Sequence, residues 1–283
     1  MTEDWKEKFI NKQVCGDNLQ LLKEIPDNTV HLTVTSPPYN VDIPYDNYRD
    51  TKDYQSYLDF LEERFKQIYR VTVQGGKVAI NVADAGKPIH SDITQFMTKE
   101  LKFKHIATVL WCKGGRSNSP IFGSYGPEVP LFAYPYEFIV VFMKGNKHRR
   151  VGKNKKGITI TKEQYLKYSN CLWEFPQKYD AELLDILKSE YVDYATVLFD
   201  FPPEHGMKKF DHPAMFPPEL PRRFIEMLTF ENDIVLDLFG GVGTTASVAK
   251  KLNRNFISMD LSQKYCDMAN ERIGLNQMLI DDF

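Results

Sequence analysis

Hydrophobic and polar positions along the chain follow two alternating periods, and the switches between them predict an α/β protein. Gly16-Asp17 opens a short turn and helix carrying Leu19, Leu21, Leu22 and Ile25, ended by Pro26-Asp27. Val30-His31-Leu32-Thr33-Val34 then reads as a buried strand, rich in β-branched residues and stopped by Pro37-Pro38. Residues 41–53, with Tyr45, Tyr48 and several Asp and Asn, read as a long loop. The apolar set Tyr54, Tyr57, Leu58, Leu61, Phe65 and Ile68 has helical spacing. Gly75-Gly76 is read as a turn into the strand Lys77–Val82, followed by a helix near Ser91–Leu101 and the strands Ile106–Trp111 and Glu137–Met143. After a stretch of different character come a helix from about Pro221, the strand Asp233–Leu238, a helix from Thr244, the strand Asn255–Met259 and a last helix from about Gln263 to Ile273. Strands alternating with helices predict a mostly parallel sheet with helices on both faces.

The stretch of different character is compositional. From Lys144 to Tyr168 there are nine Lys or Arg and one acid, Glu163, whereas Asp180–Asp211 carries eight acids and three bases. The sequence therefore predicts three segments: 1–143 and 211–283 as two halves of one α/β domain, and 144–210 as a small inserted region. The rest of the composition mainly excludes. A hydrophobic content of 42% with 26% charged residues rules out disordered and fibrous classes. The net charge of −2 points to no polyanionic partner, so such a site must come from local clustering. No apolar run is long enough to span a bilayer, and the polar N-terminus is no signal peptide. Four widely spaced cysteines, Cys15, Cys112, Cys171 and Cys266, suit reduced thiols in the cytoplasm, and six scattered histidines offer no metal-ligand spacing, so no metal is expected.

Candidate chemistry begins with Asp237-Leu238-Phe239-Gly240-Gly241-Val242-Gly243-Thr244-Thr245, which joins an apolar strand to a helix through a glycine turn. Glycines permit the tight turn and a close approach of ligand to backbone. Asp260 ends the next strand, where a carboxylate can accept hydrogen bonds from both hydroxyls of a ribose. An adenosine-containing ligand follows. A dinucleotide prefers Gly-x-Gly-x-x-Gly and needs backbone N–H groups free for a pyrophosphate. Asp237 would repel phosphate but suits the ammonium group of a methionine moiety, which favours S-adenosylmethionine.

The second signal is Thr35-Ser36-Pro37-Pro38-Tyr39-Asn40, directly after a strand. The exocyclic amine of a nucleobase is a poor nucleophile because its lone pair is delocalised into the ring. Fixed acceptors that hold both N–H groups can turn the lone pair toward an electrophilic methyl. The Ser36 oxygen and the Pro37 carbonyl are candidates, with the two prolines stiffening the corner and Tyr39 offering a ring for a flipped base to stack on.

These two motifs, in this order, resemble those of the β-class amino-group DNA methyltransferases, a family in which the catalytic motif precedes the cofactor motif. The resemblance covers residues 14–143 and about 211–273. It implies a Rossmann-like, S-adenosylmethionine-dependent methyltransferase fold, with residues 144–210 as a target-recognition region and double-stranded DNA as partner. It makes Ser36, Pro37, Pro38 and Tyr39 the catalytic corner. For the cofactor it implies Asp17, Thr35, Asp237, Phe239, Gly240, Gly241, Gly243, Thr244, Thr245 and Asp260. His212-Pro213-Ala214-Met215-Phe216 adds His212 and Phe216, near the methionine end. No Pro-Cys is present, which argues against carbon-5 methylation. Ser-Pro-Pro-Tyr and His-Pro-Ala-x-Phe-Pro resemble the N4-cytosine members more than the N6-adenine ones. Beside such a motif the basic run, with Lys147, Arg149, Arg150, Lys153, Lys155 and Lys156, is expected to touch DNA phosphates. The insert is small for sequence recognition, which leaves room for a homodimer sharing the task, and a cognate restriction endonuclease would act separately.

Overall fold

The computed structural model describes residues 4–40, 52–84, 86–112, 136–149, 157–174 and 216–281, the last seven as helix backbone only. Eight strands form one sheet: β1 (Lys12–Cys15), β2 (Val30–Thr35), β3 (Thr72–Val82), β4 (Lys104–Cys112), β5 (Tyr136–Met143), β6 (Leu172–Glu174), β7 (Ile234–Asp237) and β8 (Asn255–Asp260), in the order β1-β8-β7-β2-β3-β5-β4-β6. All neighbours are parallel except β5, which runs antiparallel to both β3 and β4.

Strand alternation divides the core into two layers. Val78, Ile80, Val140, Phe142, Leu236 and Ile257 face one way and meet Leu22 of α2 (Asn18–Glu24), Leu61, Phe65 and Ile68 of α3 (Tyr54–Val71), and Ile93 of α4 (Ile89–Gln95). Leu32, Val34, Ala79, Ile139, Val141 and Val235 face the other way. They meet Phe224 and Ile225 of the helix Glu219–Leu228, Ala246 and Ala249 of Thr244–Lys251, and Ala269 of Gln263–Asp281. In chain order, after α5 (Lys162–Tyr168), these three are α6, α7 and α8, and α1 (Asp4–Phe9) precedes β1. Period-2 strands buried on both faces explain the near-continuous apolar runs in the sequence.

The connections fix where a ligand can sit. From β2 the chain passes through α3 to β3 on one side, and from β7 it passes through α7 to β8 on the other. Because β2 and β7 are neighbours, their C-terminal ends flank a topological switch point, where open parallel sheets leave a crevice. Both sequence motifs leave the sheet at that crevice.

Several elements differ from the sequence expectation. Gly75-Gly76 lies inside β3 rather than before it: the partners of β2 jump from Thr72 to Lys77 while β2 advances from Val30 to Leu32, and the extra residues form a bulge. The helix read near Ser91–Leu101 starts at Ile89 and widens into a π turn over Phe96–Glu100. The boundary at 144 also moves. α5 and β6 fall within the expected insert, yet β6 extends the main sheet beside β4, and the buried Trp173 packs on Phe224 of α6 at 4.7 Å between ring centroids. The described part of the expected insert, 144–149 and 157–174, is thus joined to the main sheet, while 150–156 and 175–210 lie outside the described residues. Among the described residues no helix is long and apolar enough to cross a membrane.

Candidate active site

The catalytic corner is built on the end of β2. Pro37 is buried and Ser36 half-buried. The Ser36 hydroxyl lies 2.9 Å from the Tyr39 hydroxyl and 3.2 Å from the carbonyl of Asn81. The Tyr57 hydroxyl of α3 donates to the carbonyl of Pro38 at 2.7 Å, whereas among the described residues no donor is bonded to the carbonyl of Pro37. The carbonyl of Pro38 is thereby tied to the scaffold. Asn40 closes the corner: its side chain donates to the carbonyl of Lys52 (2.7 Å) and accepts from the N–H of Lys52 (2.6 Å). Tyr45 and Tyr48 lie outside the described residues.

The glycine turn follows β7. Gly241 and Gly243 have φ of 50° and 75°, the left-handed region that only glycine adopts without strain. At Gly240 packing alone demands glycine: a Cβ there would stand 2.1 Å from the Ser258 hydroxyl oxygen on β8. Gly240→Ala is therefore expected to destabilise the fold by about 1–3 kcal/mol through overpacking. Ser258 is buried and its hydroxyl has no partner, so adding Ser258→Ala should recover most of the loss. Chemical denaturation of the single and double variants measures both, and a double variant no more stable than Gly240→Ala would refute the contact.

Asp237 joins the two motifs. Its Oδ1 accepts from the hydroxyl of Thr35 (2.8 Å) and the N–H of Phe239 (3.2 Å), and its Oδ2 accepts from the hydroxyl of Thr245 (2.7 Å). Only 2% of Asp237 is exposed, and burial pushes its carboxyl up to about 6 against the hydrogen bonds that favour the ionised form. The sequence reading aimed this carboxylate at a ligand ammonium. In the structure it is enclosed and binds the residue before Ser36 to the first turn of the cofactor helix.

Two further acids meet at the other side of the turn. Asp260 accepts from the N–H of Gly241 and of Ser262, each at 2.9 Å, and its carbonyl accepts from the N–H of Gly16. Asp17, the next residue, caps α2 through Leu19 and pairs with Arg64 of α3 at 3.0 Å. Asn18 donates to the carbonyl of Leu238 and accepts from Arg64. The Arg64 guanidinium lies 3.6 Å from the Phe60 ring centroid, and Phe60 faces Phe239 at 6.2 Å. Thr244 is buried and accepts from Arg272.

The family profile described as DNA methylase matches residues 30–271. The chain belongs to this family. Among its relatives, the orphan methyltransferase M.BamHII of Bacillus amyloliquefaciens is 31% identical, covering 89% of this chain and 91% of its own. The type II methyltransferase M.BglII of Bacillus subtilis is 29% identical over 93% of this chain and 68% of its own. In three dimensions the chain is similar to a Thermus thermophilus protein assigned as a DNA modification methylase, in complex with S-adenosyl-L-methionine. The TM-score is 0.66 and the identity 26%, with 93% and 94% of the two chains covered. The PvuII DNA methyltransferase shares the fold, at a TM-score of 0.67 and 23% identity over 92% of this chain and 85% of that one.

S-adenosylmethionine is the cofactor of this family, and the switch-point residues fit it. Asp17 and Asp260 bring carboxylates to the edge of the turn, Phe239 and Phe60 bring rings, and residues 237–245 contain no cation to hold a pyrophosphate. Phe216 packs against the core layer under α6, and His212 lies outside the described residues.

The structure corrects the basic run. Arg149 places both of its terminal nitrogens on the carboxylate of Asp233, just before β7, so its charge is committed within the fold. Lys144, also counted in that patch, is buried and donates to the carbonyls of Tyr69 and Thr72. Lys147 is exposed, but β5 runs antiparallel and delivers the chain to the rim of the sheet opposite the crevice. The chain is held at that rim again where Gly157 accepts from the N–H of Glu231. Arg150, Lys153, Lys155 and Lys156 lie outside the described residues.

The sequence reading did not anticipate Asn18, Arg64, Phe60, Asn81 or Glu137. Arg64 alone had left a signal: a charged residue one position before Phe65 on the apolar side of α3.

Proposed function

We propose that the chain is a site-specific DNA methyltransferase acting on the exocyclic N4 amine of a cytosine flipped out of double-stranded DNA. The observation that carries this reading is the 2.8 Å bond from Thr35 to Asp237, which sets the Ser36 corner beside the cofactor turn at one switch point. A serine at this corner offers a neutral acceptor of short reach, and Ser36-Pro37-Pro38-Tyr39 is the form that resembles the N4-cytosine members.

S-adenosylmethionine supplies a methyl group on a sulfonium sulfur. The residues of the chain prepare the acceptor. The Ser36 oxygen and the Pro37 carbonyl each take one N–H of the amine, which removes the lone pair from conjugation and points it along the line of transfer. As the N–C bond forms, the C–S electron pair stays on sulfur, and the methylated amine, now cationic, afterwards gives one proton to water. Deprotonation after attack needs no strong base at the corner. Phosphate contacts from Lys147, Arg150, Lys153, Lys155 and Lys156 belong to the proposal, and Arg149, paired with Asp233, does not.

The decisive experiment is expression in a methylation-free host, followed by nucleoside mass spectrometry and single-molecule sequencing of its DNA. N4-methylcytosine in one sequence context is the expected product; N6-methyladenine in its place would overturn the base assignment and leave the family intact. Asp260→Ala is expected to weaken S-adenosylmethionine binding by roughly tenfold to hundredfold, the value of hydrogen bonds to a charged acceptor. A dissociation constant unaltered by calorimetry would remove Asp260 from the ribose.

A further inference from the structure

We propose that Glu137 is a positioning residue for methyl transfer, acting through Tyr39 to keep the Ser36 hydroxyl an acceptor toward the substrate amine. This rests on the pinned-amine reading above and extends it.

The placement follows from register. Thr35 is paired with Ile80, so Ser36 falls beside Asn81, and Asn81 is paired with Ile139 of β5. Glu137 is two residues before Ile139 and so on the same face. Because β5 is antiparallel, its first residues reach the C-terminal edge of the parallel strands, next to the corner. Three strands thus bring Ser36, Asn81 and Glu137 to one face, with Glu137 one step along β5 from the row that holds Ser36 and Asn81. Glu137 is 5% exposed and Asn81 2%, so neither is an ordinary surface polar group.

The protons in this cluster can be counted. Glu137 Oε2 accepts from the Tyr39 hydroxyl at 2.9 Å and from Asn81 Nδ2 at 2.6 Å. A carboxylate has no proton to give, so the single phenolic proton of Tyr39 points at Glu137. The Tyr39 oxygen then meets Ser36 only as an acceptor, and it also accepts from Asn81 Nδ2 at 2.8 Å. The Ser36 proton is therefore directed inward, to the Tyr39 oxygen or to the Asn81 carbonyl. Asn81 Nδ2 also makes a long contact to the Ser36 oxygen at 3.5 Å, so one outward lone pair of Ser36 is what remains for the N–H of the base. Without Glu137, the Tyr39 proton is free to turn onto Ser36, and the Ser36 proton can swing outward, donor against donor with the amine.

The test uses single-turnover transfer of a tritiated methyl group to genomic DNA from the methylation-free host, with dissociation constants for S-adenosylmethionine and that DNA. Glu137→Leu is expected to slow transfer by roughly tenfold to hundredfold with both dissociation constants within about twofold of the parent. Glu137→Gln, which keeps a neutral acceptor, should fall between. Tyr39→Phe should lose a similar factor, and Glu137→Leu should cost little more in that background, since both break one relay. Should Glu137→Leu misfold, Glu137→Gln and Tyr39→Phe carry the test, with thermal unfolding as a check. A parental rate in the folded Glu137 variants, or losses that multiply fully in the double variant, would overturn the proposal. Ser36→Ala separates the two levels. A slow Ser36→Ala beside normal Glu137 and Tyr39 variants sinks only this inference, whereas a normal Ser36→Ala sinks the pinned-amine reading itself.

Discussion

Ser36→Ala is expected to slow methyl transfer by about two to three orders of magnitude while leaving the affinity for S-adenosylmethionine unchanged. The magnitude is that of removing one preorganised hydrogen-bond partner from a developing charge. The hydroxyl does little for the ground state, because an amine in water already has acceptors. Its worth comes from direction: at the corner the acceptor is fixed before the base arrives, so no reorganisation is needed when the lone pair leaves conjugation. Cofactor affinity should hold because Thr35 still reaches Asp237 and nothing in the glycine turn contacts the lost oxygen. Single-turnover kinetics and calorimetry read the two quantities separately. Equal losses in rate and affinity would mean that Ser36 supports the cofactor turn rather than the base.

How far the sequence led to this site depends on the range of each signal. The turn at 239–243 and the diproline corner were legible because each is a local necessity: left-handed φ at Gly241 and Gly243, a strand stopped by Pro37-Pro38. Strands and helices with several periods of pattern, such as α3 and β5, were legible for the same reason. β1 and β6 were not, since four and three residues carry too little periodicity and both owe their state to neighbours, β8 and β4, far away in the chain. The basic run misled in the opposite way. Its charge density was real, but two of its members neutralise and cap other parts of the fold, at Asp233 and at the end of α3. Glu137 and Asn81 sit at the polar tips of strands that read as apolar, and only the antiparallel turn of β5 makes them neighbours of Ser36. Pairings of that range leave no trace in a single sequence.

Asp237 supplies the other large effect, on stability and its pH dependence. The unfolded chain releases this proton near 3.8 and the folded protein near 6. Between those values the folded state holds more proton, so stability falls as pH rises through the window and stays lowered above it. The shift corresponds to a cost of about 3 kcal/mol at neutral pH. Asp237→Asn removes the charge and keeps the shape: the amide oxygen can serve Thr35 and Phe239, and the Thr245 hydroxyl can turn to accept from the amide nitrogen. The stability of Asp237→Asn relative to the parent is therefore expected to grow from pH 5 to pH 8 by about 1.4 kcal/mol, roughly half of the full shift. Asp237→Ala behaves differently, because it leaves three donors without an acceptor. It should destabilise by about 3 kcal/mol or more and loosen the corner and the turn together, lowering transfer rate and cofactor affinity in one variant. Urea unfolding of the three proteins across that pH range decides the matter. A flat difference between parent and Asp237→Asn would show that the carboxylate is not buried as described, and an Asp237→Ala variant that loses cofactor affinity but keeps its transfer rate at saturation would sever the link between the two motifs.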